Sequence, residues 1–449
     1  MKLNKMAFLL GSVCCLLGCE EFLAEKPDQR LATIETIKDM QALLDDYAKL
    51  NYSDPAMAEV YGDNYFMADE VFNARNEYDR NMYVFADARI FQPKLNVWNN
   101  VYTQVNIANI VLQAVRDKEQ RINDRNGISL IRAQALFFRA KAFFNALNVW
   151  TMPYNVNSAG ALPGIPLRLN ANFNLSSTRS TIAEGYRQVI ADFKESCAVL
   201  PLHALTPMRP SKASAYGMLS RVYLQMRDYV QAEKYADSCL QLKSGLLDYN
   251  TLNAGSNYPV PKLNVEVVFE GRGEMAAPLV QERALIKPDL YQLYEANDLR
   301  KTIFFKASGK NFVFKGSYEA AASIFNGITT AEMLLSRSEC LIRNGDVQKG
   351  LDDLNTLLRH RYKTGTFSSI NVVAKEDALV LVKAERRKEL AFRCMRWLDI
   401  RRFNEEGDGI VIRRTINGKT FTLIPRSNSY ALAIPEDVIE LSGMKQNEP

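Results

Sequence analysis

The sequence predicts a mainly α fold: a scaffold of tetratricopeptide-like helical hairpins, with irregular loops and small β elements between them. Three observations carry this expectation. Apolar residues recur at helical spacing over most of the chain, two distant segments share one hairpin pattern, and period-2 alternation is confined to short stretches. With 449 residues, 47% hydrophobic and 24% charged, the composition is that of a globular protein with one large or two ordinary domains.

The chain opens with the layout of a secretory signal. Lys2 and Lys5 precede an apolar run from Met6 to Leu17. That run covers about 12 residues, where a bilayer span needs roughly 20, so residues 1–18 are expected to be a signal peptide. Leu16-Leu17-Gly18-Cys19 resembles the lipobox of bacterial lipoproteins, in which a small residue precedes the cysteine that carries the diacylglycerol. Cys14 and Cys15 lack a preceding glycine. The expectation is a lipid anchor on Cys19, made firm by more than one acyl chain, and a mature chain without a membrane-spanning helix. Glu20 and Glu21 resemble the surface-export signal of some Gram-negative lipoproteins, and equally suit a solvated tether.

Helices follow in order. Trp98 to Val115 carries Val101, Val105, Ala108 and Leu112 on one face, and Ile131 to Val149 repeats the pattern with Ala135, Phe138 and Ala142. Pro153, Pro163 and Pro166 enforce a loop. A helix from about Ile182 to Leu200 starts at Ser180 or Thr181 as N-cap and stops at Pro201. Two hairpins come next. Leu219, Ser220, Tyr223, Arg227-Asp228, Tyr229, Ala232, Ala236 and Cys239 in the first are matched by Leu334, Ser338, Leu341, Gly345-Asp346, Gly350, Leu354 and Leu357 in the second, at closely matching offsets. Small residues let the paired helices approach, and each hairpin needs neighbours to bury its apolar face. Between about Tyr249 and Thr329 the pattern loosens into loop, with a strand at Val265 to Glu270. Near the end, Ile410 to Ile416 and Lys419 to Ile424 flank Asn417-Gly418, a strong short hairpin signal because both turn residues need positive φ. The mature chain from residue 19 to 449 therefore reads as a single domain. Its helical core spans about 30–245 and 330–402, its loop-rich ligand side about 246–329 and its β-hairpin region about 409–434.

Composition excludes several function classes. The formal net charge is +5, and loss of residues 1–18 leaves 54 basic against 51 acidic residues, too near balance to indicate nucleic-acid binding. His203 and His360 are the only histidines, so no HExxH zinc motif exists, and neither a GxSxG elbow nor a P-loop is present. No catalytic residue, metal or cofactor is expected. Cys197, Cys239, Cys340 and Cys394 sit among apolar residues in helical segments and read as buried free thiols.

With these pieces in order, the chain resembles the SusD/RagB family of outer-membrane nutrient-binding lipoproteins over essentially its whole length. The resemblance rests on Cys19 followed by Phe22-Leu23 and Lys26-Pro27, Thr36 to Tyr47 as first helix, and Trp98-Asn99-Asn100-Val101-Tyr102 with Ala108-Asn109. It continues with Arg132-Ala133, Phe137-Phe138-Arg139-Ala140, Pro210 to Tyr216 and Ala331-Glu332-Met333-Leu334-Leu335. Glu385-Arg386-Arg387-Lys388-Glu389-Leu390-Ala391-Phe392, then Arg396-Trp397-Leu398-Asp399-Ile400-Arg401-Arg402, is its most specific stretch, and Ile434-Pro435-Glu436-Asp437 and Lys445-Gln446-Asn447 fit the family's ending. Where the family often places a small or acidic residue and a glycine before the Arg-Trp pair, this chain has Arg393-Cys394-Met395.

The resemblance implies a SusD-like fold and a non-catalytic binder that faces the cell exterior. It implies capture of a glycan or oligosaccharide and its transfer to a SusC-like TonB-dependent transporter; peptide binding on the same architecture, a purely structural scaffold and a hydrolase are the rival readings. Candidate ligand residues come from polar and aromatic clusters: Asp69 and Arg80 in the dense Asp63–Arg80 loop, Trp98, Asn99 and Tyr102 at a helix start, and Tyr291, Tyr294 and Tyr318 in the loose region. Each aromatic has an ordinary core role as its alternative. The Glu385–Arg402 charges mix with apolar anchors on one helix face, which predicts a structural ion-pair network around a docked Trp397.

Overall fold

Ten helices of eight or more residues form the frame of the computed structural model, which describes residues 34–448. Cys19 and the expected signal peptide lie outside the described residues. The helices are α1 (Ile37–Leu44), α2 (Val97–Lys118), α3 (Arg125–Trp150), α4 (Ile182–Val199), α5 (Lys212–Met226), α6 (Tyr229–Leu242), α7 (Thr330–Asn344), α8 (Val347–Arg359), α9 (Lys375–Glu389) and α10 (Arg396–Glu406). From α2 to α8 each packs on the next, so the chain builds a layered array in which every hairpin buries its neighbour's apolar face. Among the described residues, no helix is long and apolar enough to cross a membrane.

Local signals place the ends. Thr36 and Asp39 form a capping box on α1, and Thr181, not Ser180, forms one with Glu184 on α4. The first predicted helix is interrupted at Asp45-Asp46, where Asp46 caps a separate turn, Tyr47–Leu50. Helices α2 and α3 run past their predicted ends because the polar terminal turns carry no apolar period. Asp124 still caps α3 through the Gly127 amide at 2.8 Å.

The two hairpins share one detail. The Ser220 hydroxyl donates to the Ala232 carbonyl at 2.9 Å, and Ser338 to that of Gly350 at 2.6 Å, so each pair of helices meets at a serine and a small residue. A Cβ at Gly350 would lie 2.8 Å from the Ser338 carbonyl oxygen, closer than packing allows. The turns use Arg227 at φ 61° and Gly345 at φ 104°.

The β elements are small. Strands β1 (Tyr65–Phe66), β6 (Leu285–Ile286), β8 (Asn311–Phe314) and β7 (Phe305–Ser308) pair in that order as one antiparallel sheet. Strands β2 (Pro163–Pro166) and β3 (Arg179–Thr181), β4 (Val267–Phe269) and β10 (Ile328–Thr329), and β5 (Arg272–Gly273) and β9 (Ile324–Phe325) pair separately. Strands β11 (Ile412–Ile416) and β12 (Lys419–Leu423) form the expected hairpin, with Asn417 and Gly418 at φ 50° and 75°.

Charges fill part of the core. Arg386 and Arg402 both reach Asp399, at 2.8 and 3.0 Å, and Arg402 also grips Glu339 with two bonds of 2.6 Å. Trp397 is fully buried beside them, edge-on to Tyr430 at 4.7 Å. In the turn between α9 and α10, Phe392 and Cys394 both take φ 55°. The four described cysteines are free and buried, and burial pushes the Cys197 and Cys239 thiols up to about 12.

Glu59 is a buried carboxyl that accepts from the Asn64 amide at 3.1 Å, and burial raises it to about 7. A raised carboxyl holds its proton more tightly in the folded chain than in the unfolded one. Its contribution to stability therefore falls as pH rises from the ordinary value of 4.5 to about 7. Glu59→Gln is expected to stabilise the protein at pH ~8, by up to about 3 kcal/mol. Urea midpoints at mildly acid and mildly alkaline pH measure this; an unchanged pH dependence in the variant would refute it.

Candidate functional site

Two clefts share the start of α2. The first, about 160 Å³, is lined by Asn96 and Val97; the second, about 310 Å³, by Trp98 and Tyr102. We call them the loop cleft and the helix cleft.

The loop cleft lies where three segments converge over Met57, at the start of the short helix Met57–Val60. The helix Glu77–Tyr83 brings Tyr78, Asp79 and Met82, the approach to α2 brings residues 90–97, and the stretch after β5 brings residues 274–277. Buried Met57, Met82, Ile90 and Phe91 make an apolar floor. Tyr78, Asp79, Gln92 and Glu274 supply hydrogen-bonding groups on the walls. Asn96 fixes the geometry: its carbonyl oxygen accepts from the Trp98 and Asn99 amides at 3.0 and 3.2 Å, and its NH₂ donates to the Gln92 carbonyl at 2.9 Å. Asn100 donates to the Glu274 carboxylate, joining α2 to the far wall. Burial raises both carboxyls of the cleft above the ordinary range, opposed by Arg75 and Arg283 near Asp79 and by Asn100 at Glu274. An apolar floor with acceptor groups around it suits a ligand with an apolar face and many hydroxyls.

The helix cleft runs along α2 between the β2–β3 loop and the C-terminal helix Glu436–Ser442. Tyr102 stacks on Trp98 at 4.7 Å and donates its hydroxyl to the Pro166 carbonyl at 3.0 Å. Phe173 stands at the mouth, 87% exposed.

The structure divides the residues expected from sequence. Trp98 and Tyr102 come together, but Trp98 is only 6% exposed and sits edge-on to Trp150 at 4.7 Å, so it forms the wall behind Tyr102. Asn99 is exposed on the first turn of α2 and lines neither cleft. Asp69 is exposed at the start of the helix Asp69–Asn73, and Arg80 donates back to the Arg75 carbonyl at 2.7 Å; neither lines a cleft. Tyr291 is half-buried, stacked on Phe312 at 3.8 Å.

Tyr294 and Tyr318 require correction: at 1% and 0% exposure they present no face to a ligand. The Tyr294 hydroxyl donates to the Lys388 carbonyl at 2.8 Å, and that of Tyr318 to the Glu266 carboxylate, inside the charged core. Sequence reasoning missed Glu274, Gln92, Arg168 and Phe173. The Asn170, Asn172, Asn174 alternation was a legible turn signal for the loop that carries Phe173. Nothing in the sequence near Glu274 marked it.

Comparison with known proteins follows the same architecture. A family model described as "Starch-binding associating with outer membrane" matches residues 21–224, and one described as "SusD family" matches residues 322–436. SusD-like protein P2 of Formosa agariphila is 22% identical, over 90% of this chain and 91% of its own. A SusD superfamily crystal structure from Bacteroides thetaiotaomicron superposes with a TM-score of 0.76 at 20% identity, covering 92% of this chain and 100% of that one. A SusD-like carbohydrate-binding protein from Bacteroides vulgatus gives 0.66 at 17%, covering 91% and 97%.

Proposed function

Because the chain belongs to the SusD/RagB family, we propose that it is a cell-surface lipoprotein that captures a glycan or oligosaccharide and passes it to a SusC-like TonB-dependent transporter. The observation that carries the reading is the loop cleft, with its buried apolar floor and its walls of Tyr78, Asp79, Gln92 and Glu274. A pyranose ring lays its CH face on such a floor while its hydroxyls donate to the carboxylates. The cleft is shallow and assembled from loops, which suits reversible capture of an extended chain. The lipid on Cys19 would hold the binder at the outer membrane beside its transporter. Encounter would then depend on local concentration on the tether, not on bulk affinity.

Calorimetric binding to a panel of polysaccharides tests the reading. Asp79→Ala and Glu274→Ala are each expected to lower glycan affinity by about tenfold, the loss of one charge-assisted hydrogen bond. Affinity is expected to fall as pH drops, and to do so above the pH at which ordinary carboxylates protonate, because both groups are raised. Binding of peptides with no affinity for any glycan would overturn the proposal.

A further inference from the structure

We infer that the helix cleft is a second carbohydrate site, taking a sugar unit that bears a carboxylate or a sulfate. This rests on the glycan reading of the loop cleft and adds a ligand class to it. The two clefts differ in charge. Asp79 and Glu274 line the loop cleft, whereas among the described residues none that lines the helix cleft is acidic, and Arg168 lines it.

Among the described residues, neither Arg168, in the lining, nor Arg179, outside it, has an ion-pair partner. Arg168 donates to the carbonyls of Asn172 and Leu175 and to the Ser177 hydroxyl at 3.2 Å. Arg179, on β3, donates to the carbonyls of Gly164 at 2.8 Å and Lys445 at 3.0 Å. Carbonyl dipoles orient a guanidinium but leave its charge in place. On the neighbouring α3, by contrast, Arg139 grips Asp192 with bonds of 2.8 and 2.9 Å. On the C-terminal helix, the Asp437 carboxylate accepts from the Lys94 amide at 2.7 Å.

The site is also built in advance. Asn109, 1% exposed, donates to the carbonyls of Arg168 at 2.7 Å and Asn170 at 3.2 Å, and accepts from Arg139 at 3.2 Å. Asn170 and Asn172 each accept the amide two residues on, at 3.0 Å. The loop is thus rigidly bracketed while it holds Phe173 in solvent at the mouth. An exposed ring beside an uncompensated cation, with amides along the walls, matches the apolar face, anionic substituent and hydroxyls of an acidic sugar.

Calorimetry on the mature chain with oligogalacturonides and heparin-derived oligosaccharides as anionic probes, and malto- and xylo-oligosaccharides as neutral ones, tests this. Asn170→Asp adds a negative charge while its carboxylate can still accept the Asn172 amide. It is expected to weaken anionic probes by about tenfold, and Phe173→Ala by a similar factor. Added salt is expected to weaken them too. Asp79→Ala is expected to weaken the neutral probes, while the anionic probes keep their dependence on salt and on Phe173. Retained neutral binding in Asn170→Asp would report a folded chain. The inference is overturned if neutral probes bind and neither anionic series does, if Asp79→Ala abolishes anionic binding, or if acidic peptides bind in place of acidic sugars. Failure of every probe would remove the glycan reading itself.

Discussion

Glu389→Ala is expected to cost about 3–5 kcal/mol, the typical penalty for removing one partner from a buried ion cluster. Glu389 is 1% exposed at the end of α9 and accepts from Arg361 at 2.8 and 3.0 Å and from Arg300 at 3.1 Å. Arg300 also donates to Asp298 at 2.7 Å and to Glu385 at 2.7 Å, and Arg361 to Glu266 at 2.7 Å. The cluster therefore ties α9 to the loop before Arg300, the segment after α8 and the approach to β4. Without Glu389, two fully buried guanidiniums each lose a counter-charge in a place water does not reach. With total stabilities usually near 5–15 kcal/mol, such a loss is a large fraction of the whole. Urea unfolding at neutral pH measures it, and a change below about 1 kcal/mol would show the cluster to be dispensable.

The same cluster sets an acid limit. Burial raises the Glu389 carboxyl, but Arg361 and Arg300 outweigh it and hold it below the ordinary range; Asp298 is likewise lowered, by Arg300 and Lys388. For a lowered carboxyl, the stabilisation is present above its unfolded value and is lost as pH falls through its folded one. Unfolding is thus expected to set in below about pH 4, and Glu389→Gln to flatten that loss.

Trp98→Ala is expected to cost a similar amount, about 3–5 kcal/mol, because it empties a large buried volume between Tyr102 and Trp150. Phe173→Ala, by contrast, removes an exposed ring and is expected to change stability by less than about 0.5 kcal/mol. The two aromatics beside one cleft thus separate by experiment: one holds the wall, the other is exposed at its mouth. A stable Trp98→Ala that loses binding would reverse these roles.

The position of Trp98 shows where sequence reading ran out. A tryptophan among asparagines has the chemistry of a sugar site, and its place at the start of a helix was legible. Which way the indole faced depended on Trp150, 52 residues further on and packed against it only in the folded chain. Tyr294 and Tyr318 failed for the same reason. Their aromatic character was visible, but the carbonyl of Lys388 and carboxylate of Glu266 that engage them come from other elements.

By itself, the sequence determined the helical array, the paired hairpins, the Asn417-Gly418 turn and the ion-pair role of Glu385 to Arg402. These rest on short-range spacing: helical period, a capping residue, a small residue opposite a serine, two residues that tolerate positive φ. The tertiary structure alone decided the clefts. Glu274 meets Asn100 across 174 positions, and Asn109 brackets a loop about 60 positions away. A binding surface made from loops has no period to read, because its geometry is the sum of where distant elements end.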